Sequence, residues 1–188
     1  MAARKKAVTI STDSQGKSST NPKIGLALGG GGAKGFADIH AIKAFDDLGL
    51  VPRQIVGASI GSIMGAGMAA RMSGQEIEDH ALRAFGEGTE VISRIWRMRP
   101  KNLSEVFGRE NRFGQLKPER VLRSFLPSQL PEKIEELEIP FSAVSANFYD
   151  MDETVVSEGN LFTALAASAA IPGIFQPVLL NGQYHIDA

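Results

Sequence analysis

Cysteine is absent from the 188 residues. Disulfides, zinc–thiolate sites and thiol nucleophiles are therefore excluded, and a reducing compartment is the natural setting. No apolar run approaches the roughly 20 residues that span a bilayer. The chain starts basic, Met1 to Lys6, but polar residues follow where a secretory signal needs an apolar stretch. An excess of one charge is also lacking: 20 Lys and Arg face 21 Asp and Glu, for a net charge of −1. That balance argues against a protein that works by neutralising phosphate backbones, so no nucleic-acid partner is expected. Histidine occurs only three times, which narrows the choice of general base. With 43% hydrophobic and 22% charged residues, the composition is that of a folded chain. These features set the expectation of a cytoplasmic protein, with the inner membrane face as the peripheral surface it would touch. They do not specify an oligomeric state.

Residues 1–22 read as a disordered tail, because Ser11 to Asn21 holds too little apolar area to offset ordering. Residues 23–188 read as one domain. Lys23 to Leu28 is a short buried strand ended by Gly29-Gly30-Gly31-Gly32. A helix follows from about Ala33 to Leu48, with Phe36, Ile39, Ile42 and Phe45 at helical spacing and Gly49 as its C-terminal cap. Gln54 to Ala58 is a second strand, so the unit is β-α-β and its strands should be parallel. An apolar helix continues from Ile60 to about Met72. Ser73 and Glu76 form a capping box for the next helix, whose buried face is read as Ile77, Ala81, Leu82 and Phe85.

Beyond it, Ile92, Ile95, Trp96 and Met98 oppose Arg94, Arg97 and Lys101. Residues 92–101 are thus a basic amphipathic helix suited either to covering the fold or to peripheral membrane contact. Pro118 opens a helix through Phe125, and Leu130 to Glu138 reads as a charged surface helix. Strands are expected at Phe141 to Ala146, Thr154 to Val156, Val178 to Leu180 and Gln183 to Ile186. Asn160 caps a helix to Ala169, and Asn181-Gly182 makes a tight turn.

Two glycine motifs carry the chemistry. Gly57-Ala58-Ser59-Ile60-Gly61 sits between a strand and a helix, which is the context of a nucleophile elbow holding a serine hydroxyl at a sharp turn. The glycine loop lies one β-α-β step earlier, so parallel pairing brings it to the same sheet edge. Gly30-x-Gly32-x-x-Gly35 also matches a dinucleotide fingerprint, but no acid ends the second strand. The Walker A order fails as well, since Gly35 rather than Ser or Thr follows Lys34. N–H groups of the loop suit an oxyanion hole beside Ser59. Lys34 either braces the loop or is a solvated surface charge. For the base, His40 and His80 lie in helices away from the motifs. His185 would need Asp150 or Asp152 to complete a triad, and those acids have the composition of a turn. Asp187 ends a strand and can accept the serine proton directly.

These residues resemble the patatin-like phospholipases, particularly small bacterial ones similar to the catalytic domain of neuropathy target esterase. Gly30 to Gly35 matches the family's G-G-G-x-[KR]-G loop, and Gly57 to Gly61 its G-x-S-x-G elbow. Ala167 to Pro177 is similar to its A-S-x-x-I-P-x-x-F-x-P segment. The resemblance spans Lys23 to Asp187. It implies a three-layer α/β/α fold with a mostly parallel central sheet and a Ser59–Asp187 dyad. Gly30, Gly31 and Gly32 would form the oxyanion hole, with Lys34, Gly35, Gly57 and Gly61 as supporting motif residues. The implied reaction is hydrolysis of lipid or fatty-acyl esters with no metal and no cofactor. Ala188 follows Asp187 where the family has D-G-[GA], and family members continue with chain that completes the domain. Asp38 and His40 also differ from the family pattern. Two other readings stand beside this one. One is a catalytically incompetent, C-terminally incomplete relative. The other is a phosphate- or nucleotide-binding α/β module using Gly30 to Gly35.

Overall fold

A computed structural model describes residues 23–86 and 117–188 of the chain. The tail assigned to 1–22 and the amphipathic helix assigned to 92–101 lie outside the described residues. In chain order the elements are β1 (Gly25–Leu28), a 3-10 helix (Gly32–Phe36), α1 (Ala37–Asp47), β2 (Gln54–Ala58), α2 (Ile60–Ala69) and α3 (Gly74–Gly86). After the gap come α4 (Pro118–Phe125), a 3-10 turn (Ile134–Glu136), β3 (Phe141–Asn147), β4 (Glu153–Val156), α5 (Leu161–Ser168), β5 (Val178–Leu180) and β6 (Gln183–Ile186).

The α/β class holds, and the sheet is mixed. Among the described strands, parallel pairing is confined to β1-β2-β3, while β4, β5 and β6 join antiparallel. Strand β3 is the hub. It pairs with β2 over 141–144, with β4 over 143–146 and with β6 over 146–147. A strand residue has only two lateral neighbours. Ala143 and Val144 face β2 on one side and β4 on the other, and Ala146 faces β4 on one side and β6 on the other. Strand β6 therefore lies on the β2 side of β3, beyond the point where β2 ends.

Side chains alternate across a sheet. Leu28, Ile55, Phe141 and Ala143 point to one face and are buried. Helix α2 lies close on this face, because a Cβ on Gly65 would meet Ile55, Phe141 and Leu28 within 3.4 Å. Helix α5, also apolar all round, completes the same core with Leu161 and Leu165 fully buried.

Local chemistry explains most boundaries. The Ser73–Glu76 capping box forms as expected, with both reciprocal backbone bonds present. Asn160 caps α5 through the Thr163 N–H at 2.9 Å. Asn181 and Gly182 both take positive φ, as the two-residue β5–β6 turn requires. Three expectations change. The first turn of the helix expected from Ala33 is 3-10, because Gly31 and Gly32 hold left-handed φ and Gly35 is pressed onto Ile60. The surface helix expected over Leu130 to Glu138 is a single 3-10 turn. Its neighbours instead pair with the loop before α5, through Ile134 N–H to Gly159 and Leu161 N–H to Glu132. Leu82, read into the buried face of α3, is 65% exposed. It lies off the stripe that Ile77 and Ala81 define, and both of these are buried.

His185 is 1% exposed, and its Nδ1 lies 3.1 Å from Ser145 Oγ. It ties β6 to β3 as a core residue. Burial pushes its imidazole below the ordinary value of 6.5, so the folded chain holds it neutral. The unfolded chain takes up that proton below about pH 6.5. The stabilisation is therefore present above 6.5 and is lost as pH falls toward the folded value. Melting temperature should drop between pH 7 and pH 5, by at most ~1.4 kcal/mol of stability per pH unit from this group. A His185→Gln variant, less stable at neutral pH, should show a flatter profile over the same interval, measured by thermal denaturation in a pH series. An unchanged slope in the variant would place the pH sensitivity elsewhere.

Candidate active site

Ser59 sits between β2 and α2 with φ 52° and ψ −126°, a conformation rare for a residue with a side chain. The two flanking glycines make the turn sterically feasible. A Cβ on Gly57 would lie 2.5 Å from the Gly61 carbonyl oxygen and 2.5 Å from Ser62 Cα. A Cβ on Gly61 would lie 2.5 Å from the Leu28 carbonyl oxygen, so β1 and α2 touch there through backbone alone. Ser62 closes the turn, its hydroxyl donating to the Ser59 carbonyl at 2.6 Å. On the other side, the Ser59 N–H donates to Ser168 Oγ at 2.9 Å.

The glycine loop reaches this turn. A Cβ at Gly30 would stand 3.1 Å from Ser59 Cβ and 3.9 Å from the Ala188 carbonyl oxygen. The loop, the serine and the end of the chain beside Asp187 therefore meet at one place. Gly31 (φ 130°) and Gly32 (φ 65°) turn the backbone at the end of β1. Among the described residues, the N–H groups of Gly30 and Gly31 donate to no backbone carbonyl. The amino end of α2 adds its positive dipole to this corner. Gly35 is required for packing, since its Cβ would lie 2.0 Å from Ile60 Cγ2. Lys34 is exposed, which leaves it as a solvated charge at the loop's edge.

Register brings Asp187 to the same corner. Ala58, the last residue of β2, pairs with Val144, and Ile186, the last residue of β6, pairs with Ala146. With β2 and β6 on one side of β3, the two strands end toward each other, and the residues that follow them, Ser59 and Asp187, lie at the same corner. Asp187 is half-buried, with Oδ1 enclosed, and its N–H donates to the Ala170 carbonyl at 3.1 Å.

His40 and His185 are placed elsewhere, whereas His80 lines the cavity beside Ser59. His185 is engaged with Ser145, and the Asp150 and Asp152 carboxylates are exposed in the turn between β3 and β4. His40 is exposed on α1. His80, expected in a helix away from the motifs, is half-buried on the wall of the cavity beside Ser59, and its Nε2–H donates to the Phe125 carbonyl at 2.5 Å. It stands at i+3 from Ile77, a spacing that already puts it on the inner face of α3. Asp38 is half-buried with Oδ2 enclosed, and burial pushes its carboxyl up from the ordinary 3.8. Neither Asp38 nor His40 is among the described residues that line the cavity beside Ser59.

That cavity has a volume of about 350 Å³. Ser59 stands at its wall, with Ile63 and Met64 of α2, Ile77 and Ala81 of α3, and Phe125 of α4. Ile171 and Phe175, from the segment after α5, close another side. Apart from Ser59, the polar side chains among its described lining are His80 and Ser124. The rest of its described lining is apolar, which suits an alkyl chain.

The elbow's steric demand can be tested directly. Gly57→Ala should destabilise by about 1–3 kcal/mol or prevent folding, since the new methyl meets backbone on two sides. Gly25→Ala, with nothing within 4 Å of the added Cβ, should stay within ~0.5 kcal/mol of the parent in urea denaturation.

Comparison with known proteins identifies the family. The family model "Patatin-like phospholipase" matches residues 26–188. An uncharacterized NTE family protein of Mycobacterium tuberculosis is 30% identical over 173 residues, covering 91% of this chain and 44% of that protein. Lysophospholipase NTE1 of Cryptococcus neoformans is 30% identical over 176 residues, covering 88% of this chain and 10% of the fungal protein. The chain thus spans less than half the length of these relatives. Among solved structures, VipD from Legionella pneumophila superposes with a TM-score of 0.50 at 17% identity, over 88% of this chain and 45% of VipD. The likeness to VipD extends to the fold, and the family model covers nearly the whole described chain: the protein belongs to the patatin-like phospholipase family.

Proposed function

We propose that the protein is a serine acyl hydrolase of lipid or fatty-acyl esters, with Ser59 as nucleophile and Asp187 as its base. The observation that carries this reading is that Ser59, in the wall of an apolar cavity, meets the glycine loop at Gly30 and the chain just past Asp187 at one corner. The Asp187 carboxylate takes the Ser59 hydroxyl proton as Oγ attacks the ester carbonyl carbon. The tetrahedral oxyanion is held by N–H groups of Gly30 to Gly32, one such donor being worth ~3 kcal/mol in acyl transfer. Collapse breaks the ester C–O bond, and the leaving alkoxide takes the proton back from Asp187. Water then attacks the acyl-serine with Asp187 again as base, releasing the fatty acid and restoring Ser59. Every step uses protein groups and water.

Family membership and the lysophospholipase name of the fungal relative support a lipid ester as the substrate class. A phosphate or nucleotide on the Gly30–Gly35 loop is the rival use of the same backbone. The apolar character of the adjoining cavity favours an acyl chain over it.

The wild-type chain should react with a fluorophosphonate probe and turn over medium-chain p-nitrophenyl esters. Ser59→Ala should abolish labelling, and Asp187→Asn should lower kcat by about 10²- to 10⁴-fold. Full labelling of Ser59→Ala would sink the nucleophile assignment. Thermal stabilisation by a nucleotide, with no labelling of the wild type, would support the rival reading.

A further inference from the structure

Ser168 is fully buried at the last residue of α5, far in sequence from the elbow. A serine in a helix commonly bonds back to a carbonyl of its own preceding turn. Here its Oγ instead accepts the N–H of Ser59 at 2.9 Å. The strained turn needs such an acceptor. Ser59 is 4% exposed, so water has little access to its N–H, and a buried amide left without a partner costs about 1–3 kcal/mol. Two residues further on, the Ala170 carbonyl accepts the N–H of Asp187. The stretch then continues along the cavity, where Ala169, Ile171 and Phe175 form part of the wall. One rigid helix end thus holds the turn that carries the nucleophile and the strand end that carries the base.

Resting on the hydrolase reading above, we propose that Ser168 is a positioning residue for the reaction. Its hydroxyl sets the placement of the Ser59 turn relative to Asp187, and it acts on the chemical step rather than on substrate binding. The apolar wall that receives the acyl chain stays in place without the hydroxyl. The Ser59 turn, released on that side, drifts from the carboxylate. A displacement of about 1 Å in such a geometry costs on the order of 10²-fold in rate.

The test uses fluorophosphonate labelling rates and steady-state kinetics of the full chain, normalised to the folded fraction measured by circular dichroism. Ser168→Ala should lower kcat and the labelling rate by about 10- to 100-fold, with KM within about twofold. Ser142→Ala removes a hydroxyl from another buried serine and should leave both rates near wild type. Ser168→Thr and Ser168→Val have nearly the same shape and differ in the hydroxyl. The Thr variant should therefore label about tenfold faster than the Val variant even where both are destabilised. Equal rates for Thr and Val, or a Ser168→Ala variant that matches wild type, would overturn the proposal. A loss in Ser168→Ala that appears only in KM would overturn it as well. If the wild-type chain neither labels nor turns over ester, the hydrolase reading fails first. If it does both while the Ser168 variants are indistinguishable from it, this inference alone fails.

Discussion

The backbone contact between Gly61 and the end of β1 is the constraint on which the rest depends. Carbonyl oxygens of Leu28 and Gly29 lie where a Gly61 side chain would begin. This contact lets α2 start directly beneath the sheet edge and forces Ser59 into a conformation that costs of order 1–3 kcal/mol. The strain is held from three directions. Gly57 admits the returning backbone, Ser62 bonds the Ser59 carbonyl, and Ser168 bonds the Ser59 N–H. A turn fixed at both its donor and its acceptor cannot relax by a small rotation, and the side chain it presents is correspondingly preorganised.

The mixed sheet follows from the same geometry. Parallel strands alone bring the Gly30 loop and Ser59 to one edge, because β1 and β2 end together. They cannot bring a third group in opposition to Ser59, since every parallel strand leaves that edge travelling the same way. Strand β6 arrives from the opposite direction, on β3 but beyond the end of β2, and ends opposite Ala146. Antiparallel pairing thus brings the chain to that corner from the opposite side, where Asp187 follows the strand. The resemblance-based expectation of a mostly parallel sheet holds for the half that carries the glycine loop and the elbow. It does not extend to the half that delivers the carboxylate.

The parts of this arrangement differ in how visible they are in the sequence. Gly57, Gly61 and the loop from Gly29 to Gly32 were legible because glycine is the residue that close backbone approach requires. The capping residues Ser73, Glu76 and Asn160 were legible for an equally local reason. His80 was legible in spacing, but a lone polar residue in a charged helix carries no mark of the cavity it faces. Leu82 shows the converse, a hydrophobic residue read inward from its type although its position turns it to solvent. The segment from Leu130 to Glu138 has the composition of a helix. It forgoes one because its N–H and C=O groups meet the loop at Gly159 and Leu161, a pairing that no local pattern announces. Ser168 belonged to a recognisable motif, yet its bond spans 109 positions in sequence and depends on the fold.

The scarcity of histidine narrows the choice of base. His185 stands on β6, two residues before Asp187. Its Nδ1 is nevertheless spent on Ser145, in surroundings that disfavour a positive charge on the ring. An imidazole serving as base must become cationic in the transition state, and the environment that buries His185 opposes that change. A carboxylate faces the opposite demand, since taking the serine proton neutralises it. The surroundings of His185 thus suit a neutral core residue better than a base that must end charged.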